Sequence, residues 1–526
     1  MKFVKKMLAV LSVIAMLAAM LVTTAAAEGI TITINNPATG HTYEAYQVFK
    51  GDLNASGVLS NVVWGDGVNV DKLLPALKTS ELFKKEGVNM FAAAVDAEDV
   101  AQVITGWPYN EKDIKNFADI VADNLSTTKY TSAEQTGGKY VITVPASGYY
   151  LIKDAGKLGV DGATDYLLQI TSSTEISPKA SAPTFDKSVN NVKDGTFTKA
   201  MDAQVGDVVW FKLEANLPSL LNDYKQFYAK FEDTLPAGLV PETGSSTDNI
   251  YIEHANGDKT NLKAEIAREN KQDGTTKLTL DLGDIKTQLG NVTLNLNDKI
   301  IIKYSAKVTS AAVYGRAGDQ GNENNAVFTF SNNMNDSGTD YSTAALESSA
   351  SVYVYWAEFT KVDSVTKAPL QGAEFYLYRN VGSPAVKYYA HINDKGVITE
   401  WKTEKPATKL VSGANGKFVV KGLDALNYHL EEVKSPDGYN KMKEDVLVTI
   451  TSTITGQNLT GLSMKVDGAT VNGTVGDGLV TGQINNTAGT TLPTTGGMGT
   501  TIFYIVGIMM VLGAGVAFVV KKRNEA

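Results

Sequence analysis

The sequence predicts a mainly β chain, a tandem of β-sandwich domains followed by one C-terminal transmembrane helix. Three observations carry this expectation. Short segments of alternating apolar and polar residues recur between Ile30 and Asn486, the period-two signature of half-buried strands. Fourteen prolines and 47 glycines are spread among many Val, Ile, Thr and Tyr residues, a composition of loop-linked strands. One apolar run, Ile502 to Val520, lies near the end, and at about 1.5 Å per helical residue it just spans a hydrocarbon core of roughly 30 Å. A length of 526 residues leaves room for three or four ordinary domains.

Residues 1–27 read as a secretion signal. Lys2, Lys5 and Lys6 form a basic start, Met7 to Val22 is apolar, and Ala25-Ala26-Ala27 offers a small-residue cleavage site before Glu28. The exported chain has no cysteine, so neither disulfides nor zinc thiolates stabilise it. His41, His254, His391 and His429 are scattered; no metal site and no cofactor are expected. A net charge of −9 argues against nucleic-acid binding.

The first region, 28–182, opens on the alternating strand Ile30 to Ile34, followed by a strand from Tyr43 to Phe49. Helical patterns run from Asp71 to Lys85, Met90 to Ile104 and Glu111 to Leu125, and strands return at Lys139 to Val144 and Gly148 to Asp154. This predicts a β domain with helical insertions. Pro178 and Pro183 flank small residues and mark a boundary. Lys179 sits in that linker, where an enzyme can reach it.

The second region, 183–350, places Phe185, Lys187 and Val189 on one strand face, Phe231, Asp233 and Leu235 on another, and Asn324, Ala326, Phe328 and Phe330 on a third. A lysine, an acid and an amide are thus expected together in apolar surroundings, on three neighbouring strands. Desolvation lowers an amine's pKa and raises a carboxylic acid's. A neutral Lys187 amine can attack the Asn324 carboxamide while protonated Asp233 polarises its oxygen and moves protons, releasing ammonia. Asn325 is the alternative acceptor, on a less apolar face.

The third region, 351–490, repeats the pattern. Ala357, Phe359 and Lys361 share a face; so do Tyr428, Leu430 and Glu432, which makes Glu432 rather than Glu431 the inward acid. Asn486 lies on the face of Ile484, with Asn485 as the alternative. Adjacent acids such as Glu232/Asp233 and Glu431/Glu432 face opposite ways on a strand, which excludes a paired-carboxylate glycosidase.

The tail, 491–526, carries Leu492-Pro493-Thr494-Thr495-Gly496, the apolar run, and Lys521-Lys522-Arg523. The basic cluster stays cytoplasmic, so the rest lies outside the cell. Pro493 keeps the segment extended and Gly496 admits a close approach to the backbone. This arrangement resembles a sortase cell-wall sorting signal of Gram-positive bacteria. "TYEAYQVFKGD" and "SGYYLIKD" resemble the N-terminal domain of sortase-assembled pilins. "GDVVWFKLEANLP", "DTLPAGL" and "GNENNAVFTFSN" resemble pilin isopeptide domains. Leu370 to Tyr378 and "YHLEEVKSPDGY" resemble the second strand and the glutamate box of the collagen-adhesin B-type domain.

The resemblance to sortase-assembled major (backbone) pilins implies Ig-like sandwiches and cleavage after Thr495. It implies joining of Thr495 to Lys179 of the next subunit, although Ser177 stands where that family commonly has a tyrosine. It also implies Lys187–Asn324 and Lys361–Asn486 isopeptide bonds, with Asp233 and Glu432 as the catalytic acids. Each bond is expected to join the first strand of its domain to the last, and none is expected in the first region. The implied partners are a sortase, identical pilin subunits, minor or tip pilins, peptidoglycan and host surface ligands. The implied protein is no enzyme beyond one self-modification, and is expected at the wall as a surface pilus after transient membrane anchoring. The alternative is a non-polymerising wall-anchored adhesin or minor pilin.

Overall fold

The computed structural model describes residues 29–37, 39–54, 56–105, 111–155, 166–177, 182–242, 249–288, 294–295, 297–316, 320–334, 341–490 and 498–525. The chain divides into two compact units. The first comprises Met1–Met201, Val208–Lys307 and Glu323–Ser351; the second comprises Asp202–Asp207, Val308–Asn322 and Val352–Ala526.

The first unit begins with two facing sheets. Strand β1 (Ile30–Asn35) buries Ile32 and Ile34, as its alternation requires. Strand β2 (Tyr43–Leu53) is buried on both faces for most of its length. On one side Tyr43 and Ala45 meet Ile32 and Ile34 of β1, Tyr140 and Ile142 of β3 (Lys139–Val144), and Ile152 of β4 (Gly148–Asp154). On the other, Val48 and Phe49 pack with Leu73, Leu77, Val100, Phe117 and Val121. Those residues come from helices α1 (Val70–Thr79), α2 (Ala97–Thr105) and α3 (Glu111–Ala122).

All three helices are shorter than the apolar periodicity predicts, and local chemistry explains the two larger differences. After α1 the chain makes a two-residue hairpin joining Lys84–Lys85 to Val88–Asn89. Glu86 and Gly87 both have positive φ, +52° and +84°, the geometry of a type I′ turn that no helix can continue through. Helix α2 starts only at Ala97 because Asp96 caps it: the Asp96 carboxylate accepts from Asp99 N–H at 3.0 Å, while Asp99 accepts from Val95 N–H at 2.8 Å.

The rest of the first unit is built from two larger sheets. One runs β5 (Thr184–Asn190), β6 (Val208–Asn216), β9 (Lys299–Val308) and then Asn249–Glu253. The other contains, in order, β11 (Thr343–Tyr353), β10 (Asn322–Ser331), β7 (Tyr228–Leu235) and β8 (Thr276–Asp284). Every second residue of β7 from Ala229 to Leu235 is buried. Phe231 of β7 stacks on Phe328 of β10 with ring centroids 4.6 Å apart.

In the second unit, β12 (Tyr355–Asp363) is central in a three-stranded sheet. It pairs antiparallel with β14 (Lys417–Leu423) and parallel with β18 (Leu479–Asn486). The facing sheet contains β13 (Glu374–Val381), β15 (Asn427–Lys434), β16 (Val446–Thr455) and β17 (Asn458–Val466) in that order. Strand β13 begins four residues after Leu370; Gly372, at φ +86°, precedes it. Helix α4 (Met498–Asn524) is long and apolar enough to cross a membrane. The observed architecture is mainly β, with sandwich packing and one C-terminal apolar helix, as the alternation predicts.

Candidate functional site: two buried lysine–acid–asparagine clusters

Strand alternation buries a lysine in each of two sandwiches. Lys187 on β5 and Lys361 on β12 are both 0% exposed. Removing an ammonium from water is expensive unless it is paired, and each lysine has a carboxylate and an asparagine beside it.

At the first cluster, Lys187 Nζ donates to Asp233 Oδ1 at 2.5 Å and to the Tyr304 hydroxyl at 3.3 Å. The Tyr304 hydroxyl donates to Asp233 Oδ2 at 2.5 Å and accepts from Asn324 Nδ2 at 2.7 Å. Asn324 Oδ1 is buried without a hydrogen-bond partner among the described residues. The Phe211 ring, stacked on Tyr304, completes the apolar surroundings with its centroid 5.2 Å from Nζ. Burial pulls the Lys187 amine down to about 8, against the opposing pull of the Asp233 charge. Asn325, the alternative acceptor, is exposed.

Two features of this cluster differ from expectation. Asp233 and Asn324 do lie on adjacent strands, β7 and β10, whose register sets Asp233 against Ala326. Lys187, however, reaches them from the opposite sheet, where β5 pairs with β6. Alternation identifies which face of a strand is buried but not which sheet the strand joins. Strand β11 also follows β10, so Asn324 lies on the penultimate strand of this set, not the last.

At the second cluster, Lys361 and Asn486 sit on paired strands of one sheet, and Glu432 faces them from β15 in the other. Lys361 Nζ donates to Asn486 Oδ1 at 2.8 Å and lies 3.4 Å from Glu432 Oε1. Asn486 Nδ2 donates to Glu432 Oε1 at 3.1 Å, and Met442 N–H fixes Glu432 Oε2 at 2.7 Å. Burial holds the Lys361 amine below its ordinary range, opposed by Glu432. Glu431 faces outward and pairs with Lys405 at 2.7 Å; Asn485 Oδ1 accepts from Lys367 at 2.8 Å near the surface.

Chemically, each cluster holds an amine, a proton acceptor and a carboxamide in one buried pocket. Sequence reasoning missed Tyr304. Its only signal was its place in the apolar run of β9, where a tyrosine reads as core. The signal peptide, Lys179 and the Leu492–Gly496 motif lie outside the described residues.

Comparison with known proteins fits this architecture. The SpaA prealbumin-like fold domain matches residues 356–462, and the LPXTG cell wall anchor motif matches residues 484–526. The chain is 25% identical over 408 residues to the trypsin-resistant surface T6 protein of Streptococcus pyogenes serotype M6, covering 69% of this chain and 72% of that one. Among solved structures it resembles the T6 backbone pilin of the same serotype, with a TM-score of 0.51 and 17% identity, over 89% of this chain and 100% of that one. The major pilin SpaD of Corynebacterium diphtheriae gives a TM-score of 0.47 and 15% identity, over 89% of this chain and 100% of that one. The anchor motif and the apolar helix behind it place the mature protein at the cell wall after a transient membrane-bound stage. These matches identify the chain as a cell-wall-anchored surface protein that carries a SpaA prealbumin-like domain and an LPXTG anchor motif on a fold similar to that of the T6 backbone pilin.

Proposed function

We propose that this protein is the shaft subunit of a covalently polymerised pilus. In this reading three modules, 28–182, 183–350 and 351–490, form the mature subunit. Sortase cleaves after Thr495 and joins it to Lys179 of the next copy. Two internal Lys–Asn isopeptide bonds, Lys187–Asn324 and Lys361–Asn486, stiffen the second and third modules. Minor or tip pilins, peptidoglycan and host surface ligands are the further partners of such a fibre.

The observation that carries this reading is that both buried amines share a pocket with an acid and an asparagine amide. The lysine passes a proton to the carboxylate, and the neutral amine attacks Cγ of the asparagine. The bond from Cγ to Nδ2 then breaks and ammonia leaves. Each event happens once per molecule, without turnover, so the protein is a sortase substrate and not an enzyme. Lys361 and Asn486 are 125 positions apart. Closing a loop of that size contributes on the order of 5 kcal/mol if the bond acts on the unfolded chain as a disulfide does.

The intact mass of the recombinant ectodomain tests the internal bonds: it should be low by two ammonias, and a full mass removes them. Lys179→Ala in the parent bacterium tests polymerisation. The high-mass ladder in wall extracts should collapse to single subunits, and a surviving ladder removes Lys179 from its role.

A further inference from the structure

We infer that Tyr304 is a catalytic residue at the first cluster, a hydroxyl relay that carries a proton from Asp233 to the departing nitrogen of Asn324. This rests on the cross-link reading above and deepens it.

The two clusters solve the same problem with different geometry. At the second, the acid touches the amide itself, because Asn486 Nδ2 donates straight to Glu432. At the first, Asp233 makes no hydrogen bond to Asn324. The Tyr304 hydroxyl stands between them, 2.5 Å from Asp233 Oδ2 and 2.7 Å from Asn324 Nδ2. It also receives Lys187 Nζ at 3.3 Å, so one hydroxyl touches all three reacting side chains. Among the described residues Asn324 Oδ1 has no donor, so the only described group hydrogen-bonded to the amide is on the side of its leaving nitrogen. A hydroxyl suits this position because it accepts a proton from one partner while donating its own to another.

The proton balance closes. Lys187 gives one proton to Asp233 and becomes a neutral amine. Its nitrogen bonds to Cγ of Asn324, and the carbonyl electrons move onto Oδ1. Asp233 then delivers its proton to the Tyr304 oxygen as Tyr304 passes its own to Nδ2. The Cγ–Nδ2 bond breaks, the carbonyl re-forms and ammonia departs. Asp233, again a carboxylate, removes the surplus proton from the new amide nitrogen, and the ammonia finally takes that proton out as ammonium.

The test is Tyr304→Phe in the full ectodomain, refolded and followed by intact mass and tryptic mapping. Phenylalanine keeps the ring against Phe211 and deletes only the relay. Wild type should lose two ammonias. The variant should lose one promptly, with the Lys361–Asn486 peptide present, and form the Lys187–Asn324 peptide at least about 100-fold more slowly. Loss of both ammonias at the wild-type rate overturns the relay and leaves the cross-link reading standing. A wild-type protein without the Lys187–Asn324 peptide overturns the cross-link reading at this site instead. Asn324→Ala, which cannot bond, is the folding reference for circular dichroism. If Tyr304→Phe falls short of it, 3-fluorotyrosine replaces the tyrosines and changes the phenol's acidity. The first bond's rate should then shift several-fold while the second, which has no tyrosine on its amide, keeps its rate; an unchanged first rate overturns the relay.

Discussion

Lys361 Nζ and Asn486 Oδ1 stand 2.8 Å apart on parallel neighbours, β12 and β18, the first and last strands of their sandwich. The Glu432 carboxylate faces both, and its other oxygen is held by Met442 N–H. Glu432→Ala should therefore block this bond and also leave a buried amine without its acid. The intact-mass deficit should fall from two ammonias to one. The loss of stability should be roughly 3–5 kcal/mol, the range for breaking a buried pair from one side, beyond whatever the missing bond contributes. Calorimetry of Glu432→Ala beside Asn486→Ala separates the two effects, because only the former strands the amine.

The Lys187 amine offers a pH signature before any bond forms. Asn324→Ala holds the precursor state, with Lys187 buried beside Asp233. In the folded protein this amine titrates near 8, below its unfolded value of about 10.4. Between those values the unfolded chain binds the extra proton, so stability rises with pH. Denaturant midpoints of Asn324→Ala should climb from pH 8 toward pH 10, by up to a few kcal/mol, and stay flat with respect to this group below pH 8. The slope should vanish when Lys187→Met is added. By the same titration, cross-linking of the native sequence should speed up as pH rises toward 8.

Much of this site is legible from alternation alone. Asp233 and Asn324, Glu432 and Asn486 are inward because a period of two leaves no other choice beside Phe231, Ala326, Leu430 and Ile484. What alternation lacks is the third dimension. It holds no information about which sheet β5 joins, and so it set Lys187 next to Asp233 within one sheet rather than across the core. Tyr304 was hidden for a related reason: its ring is an ordinary core residue of β9, and only its hydroxyl is placed for chemistry. The overlong helices of the first region have a local cause, since Glu86-Gly87 and Asp96 act through turn and cap geometry that apolar periodicity does not register.

Gly416 positions the second cluster through the backbone. Its φ is +74°, and a Cβ there would lie 2.5 Å from the Lys361 carbonyl oxygen and 3.1 Å from Pro369 Cβ. Its own carbonyl accepts from Lys361 N–H at 2.8 Å. Gly416→Ala must push β12 away in addition to straining its own backbone, a destabilisation of roughly 2–3 kcal/mol. Because a displacement of about 1 Å at a reacting group can slow it ~100-fold, the variant should also retain one ammonia for longer after refolding. Time-resolved intact mass and thermal melting measure both effects.

Asp424 is an acid of the second unit whose ionisation opposes folding at neutral pH. Its carboxyl accepts from Ala425 N–H at 2.6 Å, but burial, reinforced by the nearby Asp202 and Asp207 carboxylates, pushes it well above the usual carboxylate range. Asp202 is held beside it by the hydroxyls of Ser452 and Tyr355. The Tyr428 hydroxyl bridges Asp424 O and Gln204, and Arg379 lies 3.7 Å from Asp207 on the far side. A raised folded value means that the folded chain keeps a proton the unfolded chain has lost. Stability from this group is therefore highest near pH 4 and falls as pH rises through the folded value. Asp424→Asn keeps an acceptor for Ala425 N–H, places a donor toward Asp202 and removes the titration. Its unfolding midpoint should match wild type near pH 4 and exceed it increasingly toward pH 8, by on the order of 2 kcal/mol. Parallel melts across that range read the widening gap directly; a constant offset would assign the effect to packing instead of charge.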